Sequence, residues 1–236
     1  MPSNASFEDS AVVRVLVKPF KLAFTAILGV AGLLLVAWTV DWLCVQHLWP
    51  GRVEGLRALL TEELAAGAEL AARQGTSAWP VFASANGLYA LVFKATGLHD
   101  MGQRFANGSL LSIPDTVLRH TWIARREEIE VAMLGTQLLG LRAGILIRFL
   151  PLFILLYAVG AADGLSHRAI RQAQAGRESA SLYHRAKYAQ VVVLATGVVG
   201  VLMWPAPVSW GLYFLSTAVA VGVLAAGQWA FYKKHV

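Results

Sequence analysis

Four long apolar runs set the pattern of this chain, at residues 22–40, 144–162, 188–204 and 208–232. A helix crossing the hydrocarbon core of a bilayer needs about 20 residues at ~1.5 Å each. The first run meets that length, the third nearly does, and the last exceeds it and is expected to tilt. The second is uncharged only from Phe149 to Ala162, about 21 Å of helix. Extending it back to Gly144 brings in Arg148, whose long stem can snorkel outward. Pro151, a turn further on, is expected to kink this helix rather than end it. Only Pro205-Ala206-Pro207 joins the last two runs, which therefore form a tight helical hairpin. The pattern predicts an all-α polytopic membrane protein with four transmembrane helices and a long helical extracytoplasmic segment, 41–143, between the first two.

Composition agrees with that class. Of 236 residues, 57% are hydrophobic and 14% charged, against about 25% charged in ordinary soluble domains. Arg14, Lys18 and Lys21 precede the first run in the manner of a secretory signal. That run exceeds the usual ~7–15 apolar residues, and Trp38-Thr39-Val40-Asp41 is a poor cleavage site, so a retained signal anchor is expected.

Charge supplies the orientation. The stretches 1–21, 163–187 and 233–236 hold ten Lys and Arg against four Asp and Glu, which is the whole net charge of +6. The segment from Asp41 to Arg148 holds ten of each sign. The positive-inside rule, whose weight falls on short loops, then puts both ends and the 163–187 hairpin in the cytoplasm and the 205–207 turn in the periplasm of a bacterial inner membrane.

Within the outer segment, residues 52–74 contain Glu54, Leu56, Leu59, Leu60, Glu63, Leu64 and Ala68 in an amphipathic pattern, with Gly75 just beyond. This predicts an amphipathic helix ending at a glycine. Residues 79–98 are apolar but interrupted by Asn86, Gly87 and Lys94, which suits a helix lying along the membrane surface or packed on a neighbour, with a fifth span as a third reading. From Pro114 and Asp115 a helical pattern runs through Trp122, Ile129 and Met133 to Arg142 without a breaker, predicting one long helix that leaves the membrane. In the short inner loop, 163–175 and 179–187 read as extensions of the flanking spans, with Gly176 at the turn.

The chemical candidates are few. Cys44 stands alone and reads as a packed side chain. His99 with Asp100, His120, and His167 with His184 lack the short spacing of strong zinc motifs. No phosphate-cradling loop and no nucleophile elbow is present, so neither an enzyme activity nor a cofactor is expected. Asp41 and Arg148, with Arg142 as the other choice of cation, would lie at the same depth and are expected to form an intramembrane ion pair. Independent snorkelling and a conducted proton or ion are the alternatives. Small residues recur at Gly29 and Gly32, Gly197 and Gly200, and along Ala218, Gly222 and Ala226. Such rows allow close helix approach within one monomer or across a homo-oligomer. The cluster Arg168, Arg171, Arg177, Arg185 and Lys187 serves orientation and anionic membrane lipid first, with a protein partner or direct nucleic-acid contact as further readings.

The stretch Asp163-Gly164-Leu165-Ser166-His167-Arg168-Ala169-Ile170-Arg171 is followed by Gly176-Arg177-Glu178-Ser179 and Tyr183-His184-Arg185-Ala186-Lys187. Together with Arg119-His120-Thr121-Trp122, it resembles a family of membrane proteins encoded in integrative conjugative elements, known as domain of unknown function 4400. The resemblance covers most of the chain beyond about Asp115. It implies a setting among conjugation genes, near the coupling ATPase that delivers DNA to a type IV secretion channel, and it carries over no catalytic residue. The expected function is an accessory or assembly component of conjugative DNA transfer that docks the coupling ATPase or secretion-channel components. Arg168, Arg171, Glu178, Tyr183, His184 and Arg185 are the expected docking surface. The alternative is a small ion or solute transporter or channel subunit using Asp41 and Arg148.

Overall fold

The computed structural model describes residues 11–49, 51–108, 113–174 and 180–232. The regular structure of those residues is helical: α1 (Ala11–His47), α2 (Val53–Arg73), α3 (Trp79–Tyr89) continued by a π-helical turn over Ala90–Lys94, α4 (Leu98–Ala106), α5 (Ile113–Ala124), α6 (Arg126–Ala173), α7 (Ala180–Met203) and α8 (Trp210–Ala230). Among the described residues, four helical segments are long and apolar enough to cross a membrane: Lys21–His47, Arg126–Ala173, Ser181–Met203 and Trp210–Ala230. Trp79–Lys94 and Leu98–Ala106, bent by 76° at their junction, would make a fifth if counted as one span.

The spine is α6, whose 48 residues extend about 72 Å. The helix runs through Pro151 without ending. Its inner half packs on α8 by removing side chains. Gly160 lies against the backbone of Gly222, Gly164 lies against the Ala226 carbonyl, and neither site has room for a Cβ. This approach gains stability from dispersion between closely opposed backbone surfaces. Of the three small-residue rows, the one through Ala218, Gly222 and Ala226 is thus used against α6. Gly197 faces the Thr217 methyl on α8, while Gly29 and Gly32 face open space.

The outer half of α6 is sheathed by α1, α2 and α3. α2 forms where leucines recur on one face, and that face buries Leu56, Leu59, Leu60, Glu63, Gly67 and Ala71. It stops as its glycine signal requires. Gly75 takes φ +62°, the Gly75 N–H donates to Ala72 O (3.0 Å) and the Thr76 N–H to Ala71 O (2.9 Å), closing a Schellman motif. α3 returns along α6 by close approach, with Ser84 and Leu88 seated over Gly144 and Gly140. α1 joins only with its later residues. Positions 21–32 are all exposed, whereas Leu34, Ala37, Cys44 and Val45 are buried.

Two expectations are corrected. The helix predicted to run unbroken from Pro114 to Arg142 breaks at Arg125, where α5 gives way to α6. Trp122 ties α5 to α4, its ring filling the space over Gly102 and standing 6.0 Å from Phe105. The run at 22–40 also does not sit level with 144–162. Trp38 donates to Thr136 Oγ1 (3.0 Å) and Asp41 lies against Gly135, so the outer end of that run meets α6 well outside Gly144.

Candidate functional site: a buried ion pair and a basic inner end

The polar centre of the fold lies where α2, α6 and the α7–α8 turn meet. Glu63 falls on the leucine face of α2, which carries it into the core at 1% exposure, and Arg142 of α6 is equally buried. The guanidinium donates from Nη2 to Glu63 Oε1 (2.5 Å) and from Nε to Oε2 (2.9 Å). Its remaining nitrogen, Nη1, donates to the carbonyls of Trp204 (2.6 Å) and Leu202 (3.3 Å). One side chain therefore ties α2 to α6 and also satisfies carbonyls left open at the end of α7. Burial holds the Glu63 carboxyl above the usual carboxylate range, opposed in part by the hydrogen bonds and charge of Arg142.

The expected pair of Asp41 with Arg148 is not brought together. Arg148 donates from Nε to Gln74 Oε1 (3.0 Å) and from Nη1 to Ser77 O (3.3 Å), serving the α2–α3 turn. Asp41 fills the notch left by Gly135, about 20 Å back along the helix from Arg148 at ~1.5 Å per residue. The physical reason is the offset of α1 along α6. Of the two cations considered, Arg142 is the one whose charge acts on Asp41, yet its hydrogen bonds go to Glu63.

At the inner end, the same α6 face that carries Gly160 and Gly164 continues through Arg168 and Arg171. Close packing of α8 brings its last turn beneath them. Arg171 Nη2 donates to Ala230 O (2.6 Å) and the guanidinium carbon stands 4.1 Å from the Phe231 ring centre. Arg168 lies over Tyr232 at 5.6 Å. Tyr183 of α7 meets Tyr232 edge-on at 5.7 Å and His184 at 5.3 Å. A cation beside the carbonyl end of a helix is favourable both as a hydrogen bond and against the helix dipole, and cation–π contact adds to it. Arg168, Arg171 and Tyr183 are therefore half-buried braces between α6, α7 and α8. His184, Arg185, Lys187 and Tyr188 are exposed along α7. Among the described residues neither Arg185 nor Lys187 has an ion-pair partner. Glu178, also expected at this surface, lies outside the described residues, as do Arg177 and Gly176.

Two of the candidate histidines make local contacts. Tyr89 Oη and Gln103 Nε2 bond the two ring nitrogens of His99 (2.7 and 3.0 Å), and His167 sits 3.7 Å from Asp163 one turn away. Among the described residues no group of three or more His, Cys, Asp or Glu is placed to hold a metal.

Sequence reasoning missed Glu63 as the partner of Arg142, although a signal was present: a glutamate at a leucine position of an amphipathic stripe is either exposed by a register error or buried with a cation.

The family model that matches this chain, over residues 54–233, is described as IncC plasmid conjugative DNA transfer protein DtrJ-like. No curated protein and no solved structure matches.

Proposed function

The chain belongs to the DtrJ-like family of conjugative DNA transfer proteins, and on that ground we propose that it is a multi-pass inner-membrane component that assembles partner proteins of the transfer apparatus. Family membership carries this reading, since no other observation points to a process. The resemblance to membrane proteins of integrative conjugative elements, through domain of unknown function 4400, supplies the proposed genetic setting.

Geometry supports the membrane part. From Arg148 to Arg168, α6 covers about 30 Å, and the 21 residues of α8 cover about 31 Å, each the thickness of a hydrocarbon core. The outward faces of these helices are apolar: Ile154, Leu155, Leu215, Val219 and Val223 are all exposed. Trp229, Tyr232 and Tyr183 gather beside Arg168 and Arg171, the composition of an interfacial belt. With the excess of cations at that end, it faces the cytoplasm, as do both termini.

Docking is assigned to the exposed edge of α7, His184, Arg185, Lys187 and Tyr188, because Arg168 and Arg171 are engaged in bracing. The partners proposed are the coupling ATPase or secretion-channel components, with an acidic surface facing Arg185 and Lys187. No catalytic role is proposed. The transporter reading loses its main support, because Asp41 and Arg148 do not converge on one route.

The test is photocrosslinking in donor cells carrying the whole transfer system, with a benzophenone amino acid at Tyr188 and, as control, at Leu215 within α8. Crosslinks from 188 to a transfer protein, missing from 215, are the expected result. Equal yields at both positions, or none to any transfer protein, would remove the docking assignment.

A further inference from the structure

The α2–α3 hairpin is a second membrane-facing feature, and its depth can be read against α6 rung by rung. Descending α2, Arg52 pairs with Glu127 (2.9 Å), Arg57 pairs with Glu130, Glu63 binds Arg142, and Gln74 with Ser77 receives Arg148. Ascending α3, Ser84 lies over Gly144 and Leu88 over Gly140. The hairpin tip, residues 74–79, is therefore the part of the hairpin that reaches furthest along α6, to the level of Arg148.

The same helix gives the level of the spans. Arg142 binds the carbonyls at the end of α7, and Phe149 packs at a tilt on Phe214, in the first turns of α8, with ring centres 4.6 Å apart. Arg148 is about 9 Å further in than Arg142. The tip it binds thus lies below the α7–α8 turn, beside the first turn of α8.

The chemistry of the tip matches that level. Residues 74–93 contain no Asp, Glu, Lys or Arg. α3 turns Val81 and Ala85 onto α6 and leaves Trp79 (73% exposed) and Phe82 (38%) on its outer side. Asn86, between Ser84 and Leu88 and thus near the level of Arg142, is the first polar side chain on that outer side. Two half-exposed faces of one apolar helix require an apolar medium on the second face as well. Arg148 obtains its acceptors from the tip itself, and Arg73, the residue before Gln74, pairs with Glu69 (2.7 Å) on the exposed side of α2, as suits a tip at the level of the interface.

We infer that the α2–α3 hairpin is a re-entrant element whose tip reaches the outer headgroup–acyl boundary, with Trp79 and Phe82 seated in that interface and the chain turning back outward through α3. This rests on the membrane reading above. It also leaves the charge balance intact, because both ends of the hairpin emerge on the same side.

The test is nitroxide accessibility in bilayers of phosphatidylethanolamine and phosphatidylglycerol. Full-length protein carrying Cys44→Ala would bear single labels at Trp79→Cys, Phe82→Cys, Leu91→Cys, Val223→Cys and Gln103→Cys. Labels at 79 and 82 should favour oxygen over a nickel chelate by a ratio below that at 223 and above that at 91, with 103 favouring nickel. Nickel access at 79 and 82 equal to that at 103, with 223 still oxygen-dominated, would overturn the hairpin alone. Nickel access at 223 would overturn the membrane reading beneath it. A Gln103→Cys thiol that an impermeant maleimide cannot reach in spheroplasts, but does reach after lysis, would make this segment a full crossing and also overturn the inference.

Discussion

Arg142 holds Glu63 by a two-point bond and the end of α7 by its third nitrogen, with both charged side chains 1% exposed. Three segments far apart in sequence depend on one guanidinium. Removing either partner leaves a buried charge unmatched, which typically costs about 3–5 kcal/mol.

Arg142→Ala and Glu63→Ala should each destabilise the detergent-solubilised protein by that amount, seen as a lower Tm. Arg142 should be the more sensitive position, because the α7 carbonyls also lose their donor. The double variant Glu63→Leu with Arg142→Met should be less destabilised than either single alanine. A strictly additive double mutant would show that the pair is not coupled.

Close packing of α6 on α8 depends on missing side chains. Gly160→Leu and Gly222→Leu should destabilise by at least about 1–3 kcal/mol through overpacking, whereas Gly29→Leu and Gly32→Leu should leave Tm unchanged, because nothing lies within 4 Å of a Cβ there. Thermal unfolding of the four variants distinguishes the row that packs from the row that does not.

Arg171→Ala should cost about 1–2 kcal/mol by unseating the end of α8 from its donor, and Arg171→Lys should recover part of it. Arg185→Glu should leave Tm within about 0.5 kcal/mol of wild type. Equal losses at 171 and 185 would contradict the division between braces and docking edge.

How much of this was legible beforehand differs by element. The α2 helix and its end could be read because the leucine spacing and Gly75 are local signals. The tight turn at Pro205-Ala206-Pro207 was legible for the same reason. Glu63 was visible as a member of the α2 stripe, yet its partner lies 79 residues away, and no periodicity says which helix a stripe will meet. The pairing of Asp41 with Arg148 failed because equal depth was deduced from the ends of two apolar runs. The runs do not start at a common level when one helix continues far beyond the other. The break at Arg125 was hidden because α5 is turned by Trp122 packing on Gly102, a contact with no local signature. At the inner end, Arg168 and Arg171 were legible as members of a basic cluster, whereas their contacts with the end of α8 were not. A basic cluster reads as surface until the aromatic end of α8 is folded beneath it.

The absence of coupling between Asp41 and Arg148 is itself testable. In a double-mutant cycle of Asp41→Asn and Arg148→Gln, the two stability changes should add within about 0.3–0.5 kcal/mol, as expected of sites this far apart. An interaction energy of about 1 kcal/mol or more would restore the pair.

Conjugative transfer with the α7 edge reversed tests the central claim most directly. A donor deleted for this chain would be complemented with wild type or with Arg185→Glu together with Lys187→Glu, at matched abundance in the membrane fraction. If an acidic partner docks there, like-charge contact should cost more than about 1.4 kcal/mol and lower transfer by about tenfold or more. Transfer at the wild-type frequency would contradict the assignment of that edge, and full transfer from the uncomplemented deletion would contradict a role in conjugation altogether.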